Sequence, residues 1–491
     1  MRRSVLLAAS AALLASACGS PFSDEGRYVP PSSSAPLGIA NDLNFLTVDQ
    51  RADLERRTSG APARNLAGPD LDRVVELRAS LGIPSDLSFV RSLNADPLAY
   101  GGVVSSGTDF FGLTVLPDEI PALIFRSYVQ SILDEVNVRI AQLALPHVES
   151  RISTAAERGT VHVDLMFERA LATAESFDVV ALFPELVRPL VEIRVPPRSI
   201  EELEEIETGV RTANLERDPP VLSIDVDRWN GRIVAEVASE ADAARLSSRL
   251  GAEVLDVRVG AGPRPTASKG QLQPYGLVHG ALAIDRPIPG SPFVGICTSG
   301  FAVQGAYGSF LLTAGHCGSL NEGWTQGGQP TGPMAARNYP VYFCCHDNRF
   351  DAGAISTSTV GRPQWGRFHQ NTNDWSKRIY GWIQQDADSI GNFYCHSGRT
   401  TAGLSGYGGP VCGALLSRSF APTGYMWNPQ QFRLIDTWSQ NGDSGGAVYW
   451  DTIFGSLAVG LVSGAATSGN DAILSRLPYV TNSWGLTVMT N

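Results

Sequence analysis

From Tyr275 to the C-terminus the chain carries 33 of its 50 glycines and six of its seven cysteines, with Lys+Arg and Asp+Glu balanced at 11 each. Almost nothing in that stretch has helical spacing. Short apolar runs such as "GSFLLTAG", "YPVYFCC", "RIYGWIQQ" and "SLAVGLVSG" sit between glycine-rich turns. Short strands closed by such turns build a barrel or a sandwich, not a helical bundle. The sequence before Tyr275 is of another kind. The entire excess of acid behind the formal charge of -11 lies there, with Glu and Arg in helix-like patterns. Two differently built halves therefore share 491 residues, enough for more than one core. Neither half has the basic face that nucleic acid requires.

The N-terminus "MRRSVLLAASAALLASACGS" joins an arginine pair, an apolar run from Val5 to Leu14 and small residues leading to Cys18. That pattern is an export signal, and the run is too short to span a bilayer as a helix. "LASAC" also resembles the lipobox of bacterial lipoproteins, which implies cleavage before Cys18 and acylation of its thiol; ordinary cleavage near Ala17 is the alternative. Export predicts an oxidising compartment, secreted or lipid-anchored to the cell envelope. Cys297, Cys317, Cys344, Cys345, Cys395 and Cys412 then read as a disulfide set. Proximity suggests Cys297–Cys317 and Cys395–Cys412 and leaves the vicinal Cys344 and Cys345 unexplained.

Residues 1–18 read as a signal peptide, and the Pro/Ser-rich residues 19–40 as a flexible tether. Residues 41–259 read as an α+β region: helix from Leu43 to Leu81, a hairpin over Tyr100–Pro117, and helical spacing from Ala122 to Glu207. From Val221 to Val259 the pattern becomes strand, strand, helix, strand, with Asn230-Gly231 as a hairpin turn and Gly251 ending the helix. Residues 260–276 form a Gly/Pro/Ser-rich linker suited to proteolytic nicking, ahead of a folded unit at 277–491.

"SQNGDSGGAV" places Ser444 between Asp443 and two glycines. A serine hydroxyl is a poor nucleophile without a base, and the base in turn needs an orienting carboxylate. "SFLLTAGHCGS" ends an apolar strand with His316, and "RFDAGAIS" sets Asp351 at the head of another. Asp347, Asp374 and Asp386 compete, but only Asp351 heads a run of small and apolar residues that would bury it. The order His, Asp, Ser separates chymotrypsin-like enzymes from subtilisin-like ones and α/β-hydrolases. In this chemistry His316 takes the proton of Ser444, while Asp351 fixes the imidazole tautomer.

"TAGHC" with "GDSGG" resembles the chymotrypsin-like serine protease family, and "GICTSGFAV", "CHSGRTTAG" and "GGPVCG" resemble its secreted bacterial branch, the α-lytic protease and streptogrisin type. The resemblance covers Leu277 to Asn491 and implies an all-β double β-barrel with the triad in the cleft. It also implies the disulfides Cys297–Cys317 and Cys395–Cys412, an oxyanion hole from the backbone N–H groups of Gly442 and Ser444, and a substrate-pairing strand with Ser463 and Gly464 as contacts. Asp443 resembles the family's buried loop-holding aspartate, for which His396 or Arg399 is the expected partner. The branch is made with an N-terminal pro-region, so residues 41–259 are expected to act as foldase and inhibitor, with 221–259 as its C-terminal lobe. The expected protein is a monomeric zymogen acting on polypeptides. Two departures stand out: Gln440 where many relatives have a cysteine, and Trp438 where trypsin-like enzymes have an acid. An apolar or aromatic residue before the scissile bond is favoured accordingly. No cofactor is called for, since Cys344, Cys345 and His346 lack metal-ligand spacing. The competing reading is a catalytically inactive lipoprotein whose protease-like unit binds peptides.

Overall fold

The computed structural model describes residue 48 and residues 70–100, 103–104, 113–155, 160–216, 219–251, 254–259, 278–287, 294–339, 349–357, 364–369, 376–401, 411–422, 432–440, 442–452, 455–466 and 471–490. Cys18, Cys344, Cys345, His346 and the linker 260–276 lie outside them. Among the described residues no helix is long and apolar enough to cross a membrane.

Six strands close into a barrel: Phe393–Ser397, Val411–Pro422, Phe432–Trp438, Ala447–Thr452, Gly455–Ala465 and Asp471–Arg476. The first pairs the second and the fourth, the second pairs the third, the third pairs the sixth, the sixth the fifth, and the fifth the fourth, so the ring has no open edge. Inward residues Tyr394, Leu415, Ile435, Val448, Val459, Val462 and Leu474 fill it, with the alternation a closed sheet demands. Before the barrel in sequence, seven described strands between Ala283 and Ser356, with a late eighth, form a second sheet. Ile284, Leu311, Trp324, Met334 and Ile355 pack inside it, and the late strand Thr487–Val488 returns to pair Ala302–Gly305. Where the sequence shows no helix past Tyr275, the structure has Leu477–Trp484, with Pro478 in its first turn and Gly485 at φ 61° after its end. Its short length and mixed spacing hide it from periodicity; Pro in the first turn and Gly past the last are the usual boundary residues.

The N-terminal half is built around the helix Ile120–Gln142. Its residues Phe125, Val129, Leu133, Val136 and Ile140 pack on Ile152, Val163, Leu165 and Phe167. These belong to a three-stranded sheet of His147–Ala155, Thr160–Phe167 and Val191–Arg194, which interrupts the helical stretch expected over 122–207. In Thr160–Phe167, Val161, Val163 and Leu165 alternate with His162 and Asp164, a period of two that marks a strand and departs from the helical expectation. Val221–Asp227 and Arg232–Val237 form a hairpin across Asn230-Gly231, and Glu240–Leu250 crosses over to the parallel strand Leu255–Val259. The hairpin also joins the barrel, with Ala421 opposite Ile224 and Pro422 opposite Ser223.

Beside the barrel, Asp388 is fully buried and meets Arg433 at 3.3 Å, Arg418 at 3.4 Å and Arg476. Burial opposes its ionised form, yet the three guanidiniums overcome that and hold its carboxyl below the usual range. Removing one member of such a buried group strands the others. Asp388→Asn should therefore lower unfolding stability by about 3–5 kcal/mol, read from denaturant midpoints. Glu192→Gln, in the exposed pair with Arg194, should change it little.

Candidate active site

His316 lies in the short turn Gly315–Cys317 that follows the strand Gly308–Thr313, and Asp351 immediately precedes the strand Ala352–Ser356. Those two strands pair, Thr313 opposite Gly353, so sheet register brings the two residues together. Asp351 is fully buried. Its Oδ2 lies 2.7 Å from His316 Nδ1, and its Oδ1 accepts from the backbone N–H of His316 at 3.0 Å. With Nδ1 donating to the carboxylate, Nε2 is left as the base. Burial alone would depress the imidazole and Arg337 adds to that, but the charge and hydrogen bond of Asp351 prevail and raise its pKa. The backbone N–H of Asp351 donates to Ser475 Oγ at 2.8 Å, and Ser475 Oγ lies 2.5 Å from Ser463 Oγ.

Ser444 enters from the loop before the strand Ala447–Thr452. Thr298 N–H donates to its carbonyl at 2.8 Å, and Cys297 is disulfide-bonded to Cys317 beside the histidine. The loop sits hard against the first sheet: a Cβ on Gly445 would come within 2.2 Å of Thr313 Oγ1 and 2.3 Å of Thr298 O. Ser444 is half-buried, and among the described residues no hydrogen bond joins its hydroxyl to His316. Such bonds often tighten only once substrate is bound.

The loop amides divide into two sets. Those of Asp443, Gly445 and Gly446 donate to Gln440, Val462 and Asp443 carbonyls at 3.0, 2.7 and 2.7 Å. Among the described residues, those of Gly442 and Ser444 have no partner. Gly442 takes φ +98°, and a Cβ there would lie 2.6 Å from Thr400 Oγ1, so only glycine fits. Its carbonyl is turned away and accepts from Thr298 Oγ1 at 2.6 Å.

The loop is held from behind by Asp443. Its carboxylate accepts from three backbone N–H groups, those of Thr400 at 2.8 Å, Thr401 at 3.1 Å and Gln440 at 2.9 Å. Arg399 instead pairs with Asp285 at 2.7 Å, tying the loop's neighbour to the first sheet. Of the two expected partners, His396 is the one that acts on Asp443: it is buried, donates from Nε2 to Trp438 O at 2.8 Å, and has its pKa lowered by burial, which prevails over the Asp443 charge that it feels. The second disulfide, Cys395–Cys412, joins directly opposed residues of two barrel strands. Gly455–Ala465 pairs on one side as far as Ala465 but on the other only to Leu461. Beyond Leu461 the strand is met by the nucleophile loop, with Val462 N–H donating to Gly446 O at 3.0 Å, and Ser463 and Gly464 follow directly; the Ser463 side chain is buried. Sequence reasoning missed Thr298, Thr313 and Ser475, single hydroxyls on distant strands that no local motif marks.

No protein-family model matches the chain, and no curated protein matches it. Several solved structures of bacterial proteases resemble it. Nocardiopsis protease is 23% identical over 43% of this chain and 98% of that one, with a TM-score of 0.32. Thermobifida fusca protease A is 20% identical over 44% and 100%, TM-score 0.33, and Cellulomonas bogoriensis chymotrypsin 22% identical over 44% and 99%, TM-score 0.33.

Asp351→Asn removes the acceptor that fixes the imidazole tautomer, and turnover should fall by about four orders of magnitude. Because the base acts only when neutral and its pKa is raised, the acid limb of the pH–rate profile should lie above 6.5 in the wild type. It should move to lower pH in the variant.

Proposed function

We propose that the chain is an exported serine endopeptidase made as a self-processing zymogen. Ser444 Oγ attacks the scissile carbonyl carbon as His316 Nε2 takes its proton, and the imidazolium stays paired with Asp351. The new oxyanion sits on the N–H groups of Gly442 and Ser444. Collapse breaks the C–N bond, His316 returns the proton to the leaving amine, and water repeats the sequence on the acyl-serine. The observation that carries this reading is the pair of unpartnered loop amides beside a histidine pinned by a buried aspartate. One such donor is worth about 2.7–4 kcal/mol in the transition state. Ser463 and Gly464, on the strand that follows the nucleophile loop, are the contacts assigned to an extended peptide added as a strand. Two disulfides fit an oxidising compartment, and lipid attachment at Cys18 would keep the enzyme at the envelope.

A fluorophosphonate probe should label the wild type covalently and leave Ser444→Ala unlabelled. A folded, disulfide-bonded wild type that stays unlabelled would refute the enzyme. As a zymogen, residues 277–491 expressed alone should refold poorly, and residues 38–259 supplied in trans should restore labelling.

A further inference from the structure

The helix Ile120–Gln142 carries, next to its apolar stripe, a polar row at Arg126, Gln130, Asp134 and Asn137. Every member of that row meets one segment of the C-terminal half. Arg126 Nη2 donates to Gly391 O at 2.6 Å with its guanidinium 4.3 Å over the Phe393 ring. Gln130 Oε1 accepts from Phe393 N at 2.9 Å, Asp134 Oδ1 from Asn392 Nδ2 at 3.0 Å, and Asn137 Nδ2 donates to Ala387 O at 2.9 Å. Next to the helix, Ile152 N–H donates to Ile390 O at 2.8 Å and Ile390 N–H to Ser150 O at 3.0 Å. The hairpin adds its strand to the barrel at Ala421 and Pro422, where Ser417 Oγ donates to Asp225 and Arg228 to Ser419 Oγ at 3.1 Å.

We propose that these three elements form one docking surface for residues 386–393 and 411–422, and that docking takes up protons, so the two halves hold together at mildly acidic pH and part at alkaline pH. This deepens the zymogen reading by assigning what retains the N-terminal half after the chain is cut. Three carboxyls line the seam. Burial raises Asp134 to about 8, against the Asn392 hydrogen bond, with Asp388, Arg476 and Arg418 facing it. Burial raises Glu149, with Arg418, Arg228, Arg433 and Asp227 around it. Burial raises Asp225 to about 6, with Ser417, Asp227, Glu149 and Arg228 as neighbours. Parting the halves removes the C-terminal cover over these groups, which moves each back toward the ordinary carboxyl range. A carboxyl whose docked pKa lies above its free one stabilises docking below the free value, and the gain is lost as pH rises through the docked value. Two groups act otherwise. Burial pulls His147 down to about 4 with help from Arg418, which opposes docking below 6.5 by one proton against three. Arg126, brought down to about 9 by burial, stays cationic below that pH.

The test uses the full chain as Ser444→Ala, with a site for a sequence-specific protease placed within residues 261–274, cut and run on size exclusion at pH 5.5 and 8.5. The halves should co-elute at pH 5.5 and separate at 8.5. The triple variant Asp134→Asn, Glu149→Gln, Asp225→Asn should co-elute at both, as should the single Glu149→Gln to a lesser degree if the triple variant does not fold. Equal retention of the cut wild type at both pH values overturns the proton coupling. Separation at both overturns the docking surface, and variants that part as readily as the wild type overturn the assignment to these carboxyls. Catalysis enters none of these outcomes, so the protease reading fails only on the covalent probe.

Discussion

Asp388, surrounded by Arg418, Arg433 and Arg476, fixes the part of the molecule on which the rest is assembled. Desolvating four charges is expensive, and a buried group of this kind contributes little net stability compared with an apolar core of equal volume. What it supplies is a single arrangement. Arg433 and Arg476 come from two neighbouring barrel strands, Tyr479 of the following helix donates to Asp386 at 2.7 Å, and the segment leads straight into the strand Phe393–Ser397. One cluster thus sets the relative position of three barrel strands and a helix.

The two sides of the candidate site hang from those same strands. Phe393–Ser397 runs on past Arg399 into Thr400 and Thr401, whose backbone N–H groups hold Asp443 and so the Gly442 and Ser444 amides. The strand Asp471–Arg476 supplies both Arg476 to the cluster and Ser475 to the backbone of Asp351. The first sheet answers with Thr298, which receives Arg399 N–H and donates to Gly442 O, and with Asp285 on Arg399. Nucleophile loop and histidine turn belong to different sheets, and these hydroxyls and one ion pair lock them in register. Such constraints are what electrostatic preorganisation requires.

Sequence reasoning reaches the parts of this that are local. His316, Asp351 and Ser444 stand in short motifs whose residue types are explicable one by one, and glycine-rich turns announce the strands that carry them. The strand Thr160–Phe167 is legible, since Val161, Val163 and Leu165 alternate with His162 and Asp164, but a helical reading of the whole stretch from Ala122 to Glu207 passes over that period of two. Asp443 shows the limit most plainly. A buried carboxylate suggests a cationic partner, but three backbone amides satisfy it, and amides are spelled by every residue. Ser475 and Thr298 act through single hydroxyls, and only strand register makes them neighbours of the site.

The polar row on the long helix could not be read for the same reason, yet it explains how an acidic half binds a neutral one. Long-range attraction between the halves is weak when one of them has no net charge. Recognition instead rests on backbone groups: Gly391 O, Phe393 N, Ala387 O and Ile390 are contacted as main chain, and Ala421 and Pro422 by strand pairing. Those contacts fall on one element, the pair of strands from Phe393 to Pro422. A closed ring of six strands gains its last pairing only when every earlier one exists, so its ordering is dominated by non-local contacts and their entropic cost. The contacts of the N-terminal half gather on one side of that pair of strands, where the first strand begins and the second ends, so both strands are held by the same neighbour.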